Sequence, residues 1–268
     1  MSTLFALLQR LLPHHLLSRL VGIVAGSRIP VIKNTAIRLF CRAYDINVAE
    51  AISTQFEDYP TFNSFFTREL RPGLRPISGN VCCPADGTVA QVGRIDGTTM
   101  LQAKGKQFLL TDLLGRSDCG KLTGGSFATI YLAPHDYHRV HMPIRGKLLS
   151  TRYIPGRLFS VNQATSENID NLFAINERLV MNFTTERGPM AVVMVGAMIV
   201  AGIRPAWRDD VYPPGQVLAE THDGALTFDQ GDELGWFQMG STVIVVLPGN
   251  AEWQCRPGDV VRMGQALI

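Results

Sequence analysis

The run Pro189-Met190-Ala191-Val192-Val193-Met194-Val195-Gly196-Ala197-Met198-Ile199-Val200-Ala201-Gly202-Ile203 is the longest apolar stretch of the 268-residue chain. It is shorter than the roughly 20 apolar residues that a bilayer-crossing helix needs. It holds two glycines and is rich in Val and Met, so it reads as a buried strand or strand pair. From about residue 81 the surrounding sequence has the same texture, with frequent Gly and Pro between short apolar runs. Residues 88–94, 126–132, 180–183, 191–203 and 242–247 read as strands. Residues 112–114 and 168–176 read as short helical or loop pieces. No fixed-period repeat or low-complexity linker divides this body. Apolar residues at 46% and charged residues at 18% suit a globular protein and exclude a disordered one.

The N-terminal part differs. Leu4, Leu7, Leu8, Leu11 and Leu12 recur at helical spacing before Pro13. Leu16, Leu17, Leu20, Val21 and Val24 repeat the pattern, and Gly26 and Pro30 punctuate it. A third helix is expected over residues 31–44, with Lys33, Asn34, Arg38 and Arg42 on its polar face. Residues 1–45 carry a net charge of +5 against −3 for the remainder. Basic amphipathic helices suit either an anionic partner such as nucleic acid or acidic lipid, or a helical bundle packed on the body. Gln9 and Arg10 interrupt the first apolar region, which argues against a signal peptide. The five cysteines are odd in number and include no C-x-x-C, so neither a disulfide framework nor a thiolate zinc site is expected. A reducing compartment is the simpler reading.

Three short segments carry candidate chemistry. The first is His135-Asp136-Tyr137-His138-Arg139-Val140-His141, which holds three of the six histidines. It suits a metal site, general acid–base work near neutral pH, or a solvated loop. The second, Pro84-Ala85-Asp86-Gly87-Thr88, reads alone as a turn before a strand. The third, Met239-Gly240-Ser241-Thr242, reads alone as a turn entering the strand over 242–247. A nucleophilic serine needs a base, and the base needs an orienting carboxylate. Ser241, His138 or His141, and Asp86 could supply that set.

Further segments carry a resemblance. Thr61-Phe62-Asn63-Ser64-Phe65-Phe66-Thr67-Arg68-Glu69-Leu70, running on to Arg75-Pro76, resembles the entry to the catalytic body of the bacterial phosphatidylserine decarboxylases. Pro84 to Gly87, Gln102-Ala103-Lys104-Gly105 and Tyr137-His138-Arg139-Val140-His141-Met142-Pro143 are similar to that family's elements in the same order. So are Pro155-Gly156, Phe159-Ser160-Val161-Asn162, Asn176-Glu177-Arg178 and Val195-Gly196-Ala197. The family's processing site is usually L-G-S-T. Met239 replaces its leucine here, a volume-conserving apolar change, and Gly240-Ser241 is intact.

The resemblance implies a zymogen that cleaves itself between Gly240 and Ser241. A β chain of residues 1–240 and an α chain of residues 241–268 would result, with Ser241 becoming a covalent pyruvoyl cofactor. It implies that Asp86, His141 and Ser241 form a serine-protease-like triad for the cut. The pyruvoyl ketone would form a Schiff base with phosphatidylserine, and carbon dioxide would leave to give phosphatidylethanolamine. His138 is the candidate for returning a proton to the α-carbon. No metal is expected.

The lipid substrate decides for an anionic membrane surface and against nucleic acid, with the protein peripheral on the cytoplasmic face of the cell membrane. The expected fold is α+β: N-terminal amphipathic helices over residues 1–60, then a mostly β catalytic domain over 61–268 with a barrel-like strand arrangement. That arrangement rests on the likeness of residues 85–89 and 258–265 to biotinyl and lipoyl barrels. A carrier function is not expected, because Lys104 and Lys106 do not read as a lysine in a tight hairpin. A serine hydrolase that never cuts itself, and a metal enzyme using His135, His138 and His141, are the rivals. The sequence leaves acyl-chain preference and the role of His135 open. It also leaves open the oligomeric state, a homodimer included.

Overall fold

The computed structural model describes residues 9, 14–198, 202–209, 212, 215–238 and 241–268. The helix expected over Leu4 to Leu12 lies outside these apart from Gln9, and so do Met239 and Gly240. The fold is α+β. Two helices open it, α1 (His14–Ala25) and α2 (Pro30–Tyr44), followed by the short α3 (Phe62–Phe66). Pro30 starts α2 where its missing N–H costs nothing. Asp45 ends it in the left-handed conformation, at φ 52°. Thr61 and Ser64 form a reciprocal capping box that fixes the start of α3. Ile37, Tyr59, Phe62, Phe65 and Phe66 join these elements into one aromatic-rich cluster.

Thirteen strands follow: β1 (Gly87–Arg94), β2 (Thr99–Ala103), β3 (Lys106–Leu109), β4 (Ser126–Leu132), β5 (Arg139–His141), β6 (Gly146–Ile154), β7 (Arg178–Thr185), β8 (Gly188–Gly196), β9 (Ile203–Pro205), β10 (Leu218–Phe228), β11 (Glu233–Phe237), β12 (Ser241–Leu247) and β13 (Val260–Val261). Eight form one antiparallel sheet in the order β10-β6-β7-β8-β12-β4-β1-β13. Its edges, β10 and β13, do not pair with each other among the described residues, so the sheet is open and the expected barrel does not close. β5, β11 and β9 form a second, three-stranded sheet.

The central strands are buried on both faces. On β12, Val243, Val245 and Leu247 enter one core, while Ile244 and Val246 enter the other. On β8, Met190, Val192 and Met194 face the first core, and Ala191, Val193 and Val195 the second. That double burial is why residues 190–195 show no polar alternation; residues 199–201 of the run lie outside the described residues. Each such aliphatic contributes about 1.5–3 kcal/mol. The run holds β8, and its last residue opens β9.

The chain's end is woven into the same framework. β12 sits centrally and β13 at an edge, with β4 and β1 between them. Leu267 N–H donates to Val81 O at 2.8 Å, Cys83 N–H to Gln265 O at 2.7 Å, and Asn80 N–H to Ile268 O at 2.9 Å.

The hairpin of β2 and β3 turns on Lys104-Gly105, both with positive φ (45° and 77°). Lys104 therefore does occupy a tight hairpin, contrary to the sequence reading. A turn that needs two positive φ values is legible mainly from its glycine. The Lys104 amine is ion-paired with Glu167 at 2.6 Å.

Gly87 is fixed by close approach: a Cβ there would stand 2.3 Å from the Tyr131 carbonyl oxygen on β4. At Gly93, on the same strand, the nearest atom to such a Cβ is 3.8 Å away. Gly87→Ala is expected to lower stability by about 1–3 kcal/mol, against less than about 1 kcal/mol for Gly93→Ala. Urea unfolding midpoints of the two variants check this.

Candidate active site

The candidate residues converge through strand pairing rather than through sequence proximity. Ser241 opens β12 and lies opposite Leu132 of β4 and Gly196 of β8. The chain leaves β4 through Ala133 and Pro134 and runs to His138 and β5. β5 is held by β11, and Phe237 N–H donates to His138 O at 3.2 Å. His141 N–H donates to Pro84 O at 2.8 Å, which fixes β5 beside the segment carrying Asp86.

Ser241 is fully buried, and its Oγ has no hydrogen-bond partner among the described residues. The same holds for Thr242 Oγ1. A buried hydroxyl left unpaired costs about 1–3 kcal/mol, so each is a mark of unfinished business in the fold. His138 is also fully buried, and neither ring nitrogen has a hydrogen-bond partner of ordinary geometry. Its ring stacks on Phe66 with centroids 4.0 Å apart. Burial, followed by the positive charge of Arg68, pushes its pKa down to about 3, with the nearby Ala133 and Pro134 carbonyls opposing. His138 is therefore a neutral imidazole at neutral pH.

His141 is held on both sides. Its Nδ1–H donates to Gly231 O at 2.8 Å, which leaves Nε2 to accept from the Tyr137 hydroxyl at 3.0 Å. The two rings stack at 5.6 Å. Burial lowers the pKa of His141, with the Gly231 carbonyl opposing. Asp86 is buried and belongs to another network. Arg75 Nε donates to its two oxygens at 2.9 and 3.1 Å, and Arg75 Nη2 to Oδ2 at 2.5 Å. Met263 N–H donates to Asp86 Oδ1 at 2.8 Å, and Arg75 Nη2 also reaches Glu50 at 2.6 Å. Burial alone would lower the pKa of Arg75, but the bonds and charges of Asp86 and Glu50 outweigh it and raise it.

No hydrogen bond among the described residues joins Asp86 to His141, or His141 to Ser241. Asp86, His138, His141 and Ser241 are each buried, and no hydrogen bond among the described residues links three of them as a triad. Gly240 lies outside the described residues. His135 points away from the region, its side chain more than half exposed and 3.6 Å from Asp136. Sequence reasoning assigned no role to Arg75, Tyr137, Gly231, Phe66 or Arg68. For Arg75 a signal existed, because a buried aspartate requires a nearby cation.

The central strand β12 thus begins on a buried serine whose hydroxyl bonds to none of the described residues. The chain belongs to the phosphatidylserine decarboxylase family. The family's sequence pattern, described as phosphatidylserine decarboxylase, matches residues 62–268, and a second pattern, PSD, matches residues 4–45. The phosphatidylserine decarboxylase proenzyme of Ectopseudomonas mendocina is 49% identical over 277 residues, covering 98% of this chain and 97% of that relative. The protein of the same name from Methylococcus capsulatus is 48% identical over 275 residues, covering 98% of this chain and 96% of the relative.

The low pKa of His138 has a thermodynamic consequence. The unfolded chain takes up a proton near the ordinary value of 6.5, whereas the folded chain refuses it until about pH 3. Stability from this group is complete above pH 6.5 and is lost as pH falls, by up to about 1.4 kcal/mol per pH unit. His138→Phe keeps an aromatic ring for the Phe66 stack and removes the titration. Urea unfolding from pH 7 to pH 4.5 is expected to show a shallower loss of stability in this variant than in the wild type.

Proposed function

We propose that this chain decarboxylates phosphatidylserine to phosphatidylethanolamine with a pyruvoyl group made from its own Ser241. The observation that carries the reading is the fully buried, unpartnered Ser241 Oγ at the head of β12, in a family whose similar members are named proenzymes. An unsolvated hydroxyl that forms no hydrogen bond is suited to attack the carbonyl of the preceding residue. Its surroundings also fit a small ketone, which needs no donor of its own.

In the self-cleavage, Ser241 Oγ adds to the Gly240 carbonyl carbon and the C–N bond breaks. The acyl group passes to oxygen as an ester, and the nitrogen becomes an amine. Loss of the Ser241 Cα proton then expels the Gly240 carboxylate and leaves dehydroalanine, and water replaces its nitrogen with release of ammonia. Ser241 is the nucleophile, His141 the base and Asp86 the carboxylate that fixes it. In this role the Tyr137 hydroxyl must release His141 Nε2, and His141 Nδ1–H must turn from the Gly231 carbonyl to Asp86, which then shares its carboxylate with Arg75.

In the mature site a pyruvoyl carbonyl at position 241 would supply the electron sink for the departing carboxylate. The substrate arrives as an ammonium and must lose a proton before its nitrogen can react. We assign to His138 the return of a proton to the α-carbon, since burial makes its imidazolium a ready proton donor.

The membrane reading rests on the helices. Ile23 is 72% exposed on α1, Leu39 is 60% exposed on α2 and Val31 77%. Such residues suit insertion into the interface of the cytoplasmic leaflet, with basic residues on the anionic headgroups. We assign residues 1–60 to that attachment and 61–268 to catalysis.

Intact-mass measurement of purified Ser241→Ala is expected to give one uncut chain with no decarboxylase activity, where the wild type gives two pieces. Normal cutting in that variant would sink the cofactor assignment. His141→Ala is likewise expected to stay uncut. Separately, Ile23→Asp combined with Val31→Asp is expected to weaken sedimentation with anionic vesicles by about tenfold or more while leaving cutting intact. Unchanged sedimentation would assign these faces to protein packing.

A further inference from the structure

Arg68 follows α3 and is 4% exposed, yet its Nε and Nη1 have no hydrogen-bond partner. Among the described residues no carboxylate forms an ion pair with it, although the charges of Glu50 and Asp86 reach it; the Phe65 ring centroid lies 5.3 Å from its guanidinium carbon. The neighbouring Arg139 is fully engaged, bonded to Thr67 O and paired with Glu233 at 2.7 Å and Glu69 at 3.2 Å. Arg68 lines a cleft of about 210 Å³ together with Ser53, Tyr59, Ser64, Glu69 and Arg139. The cleft lies at the seam between the N-terminal segments and the body, where Ala51 bridges to Leu70. The Arg68 charge also acts on His138, on whose ring Phe66 stacks.

A buried guanidinium without a counter-ion is a cost that the fold does not recover. Its open donors suit an anionic oxygen group, for which Arg is the preferred partner. We propose that Arg68 and this cleft bind the phosphodiester of the substrate lipid. The inference rests on the function proposed above. Of the substrate's two anions, the carboxylate is the wrong one to hold. A cation that stabilises it in the ground state opposes the departure of its electrons, which raises the barrier. The phosphodiester keeps its charge throughout, so holding it positions the headgroup without that penalty. The hydroxyls of Ser53, Tyr59 and Ser64 already donate to Asp58, Ser53 O and Thr61 O, so the cleft's unspent donors are those of Arg68, and the Glu69 carboxylate at the rim is taken up by Arg139.

The test uses Arg68→Met, which keeps volume and removes charge, and Arg68→Lys, which keeps the charge. If Arg68 serves binding, Arg68→Met is still cut into two pieces, its thermal midpoint is no lower than wild type, and its KM for phosphatidylserine rises about tenfold to hundredfold with kcat changed far less. Arg68→Lys lies between the two. Calorimetric titration with glycerophosphoethanolamine, inorganic phosphate and serine distinguishes the ligands. The diester is expected to bind wild type and uncut Ser241→Ala alike, serine and inorganic phosphate are expected to bind at least tenfold more weakly, and Arg68→Met is expected to lose the diester.

Unchanged diester binding or KM in Arg68→Met overturns the proposal, as does a collapse of its folding, which would make Arg68 structural. Inorganic phosphate binding as tightly as the diester overturns the lipid assignment. Decarboxylation by Ser241→Ala would instead refute the pyruvoyl reading and leave the Arg68 result standing.

Discussion

The site depends on β12 being sealed from water on both faces. Its backbone bonds to β4 and β8, and its side chains alternate between two cores. A strand in that position has no solvent to satisfy a polar side chain, so the hydroxyl that begins it is stranded. The same dryness keeps His138 neutral, against the opposing pull of the Ala133 and Pro134 carbonyls.

Around that dry centre the charged groups are arranged in separate circuits. Arg75 neutralises Asp86 and Glu50 together, and the Met263 amide closes the circuit from the far end of the chain. His141 is wired to a backbone carbonyl and a tyrosine. Arg139 is shared between two glutamates. Against this background of paired ions, Arg68 stands out because its Nε and Nη1 bond to none of the described residues and Glu50 and Asp86 act on it only through their charge.

The parts of the fold legible in the sequence were those where one force dominated. The runs over 191–203 and 242–247 declared buried strands because both faces are apolar, and residues 31–44 gave α2 to within one residue of Pro30–Tyr44. β10, Leu-Ala-Glu-Thr-His-Asp-Gly-Ala-Leu-Thr-Phe, escaped notice because it is a half-exposed edge whose polar residues and Asp223-Gly224 kink resemble a loop. β5 read as a loop because its pairing partner, Glu233–Phe237, lies about ninety residues away. In the site, residue types pointed to Ser241, the histidines and Asp86, but not to their partners. The Gly231 carbonyl that orients His141 is a backbone atom, which no side-chain pattern can reveal. The Arg75 grip on Asp86 depends on how a turn folds back over eleven residues.

The last 28 residues of the chain occupy two non-adjacent places in one sheet, with β4 and β1 threaded between them. A break before Ser241 would leave that piece captive, interleaved like a finger through a woven cloth. It could leave only by dismantling the centre of the sheet. Reassembly would then require two molecules to meet, so regain of structure would depend on concentration, and a heat-opened molecule would not reliably close again. Maturation of this kind converts a protein governed by equilibrium into one governed by the rate at which it opens, and its working lifetime would be set by the height of that barrier.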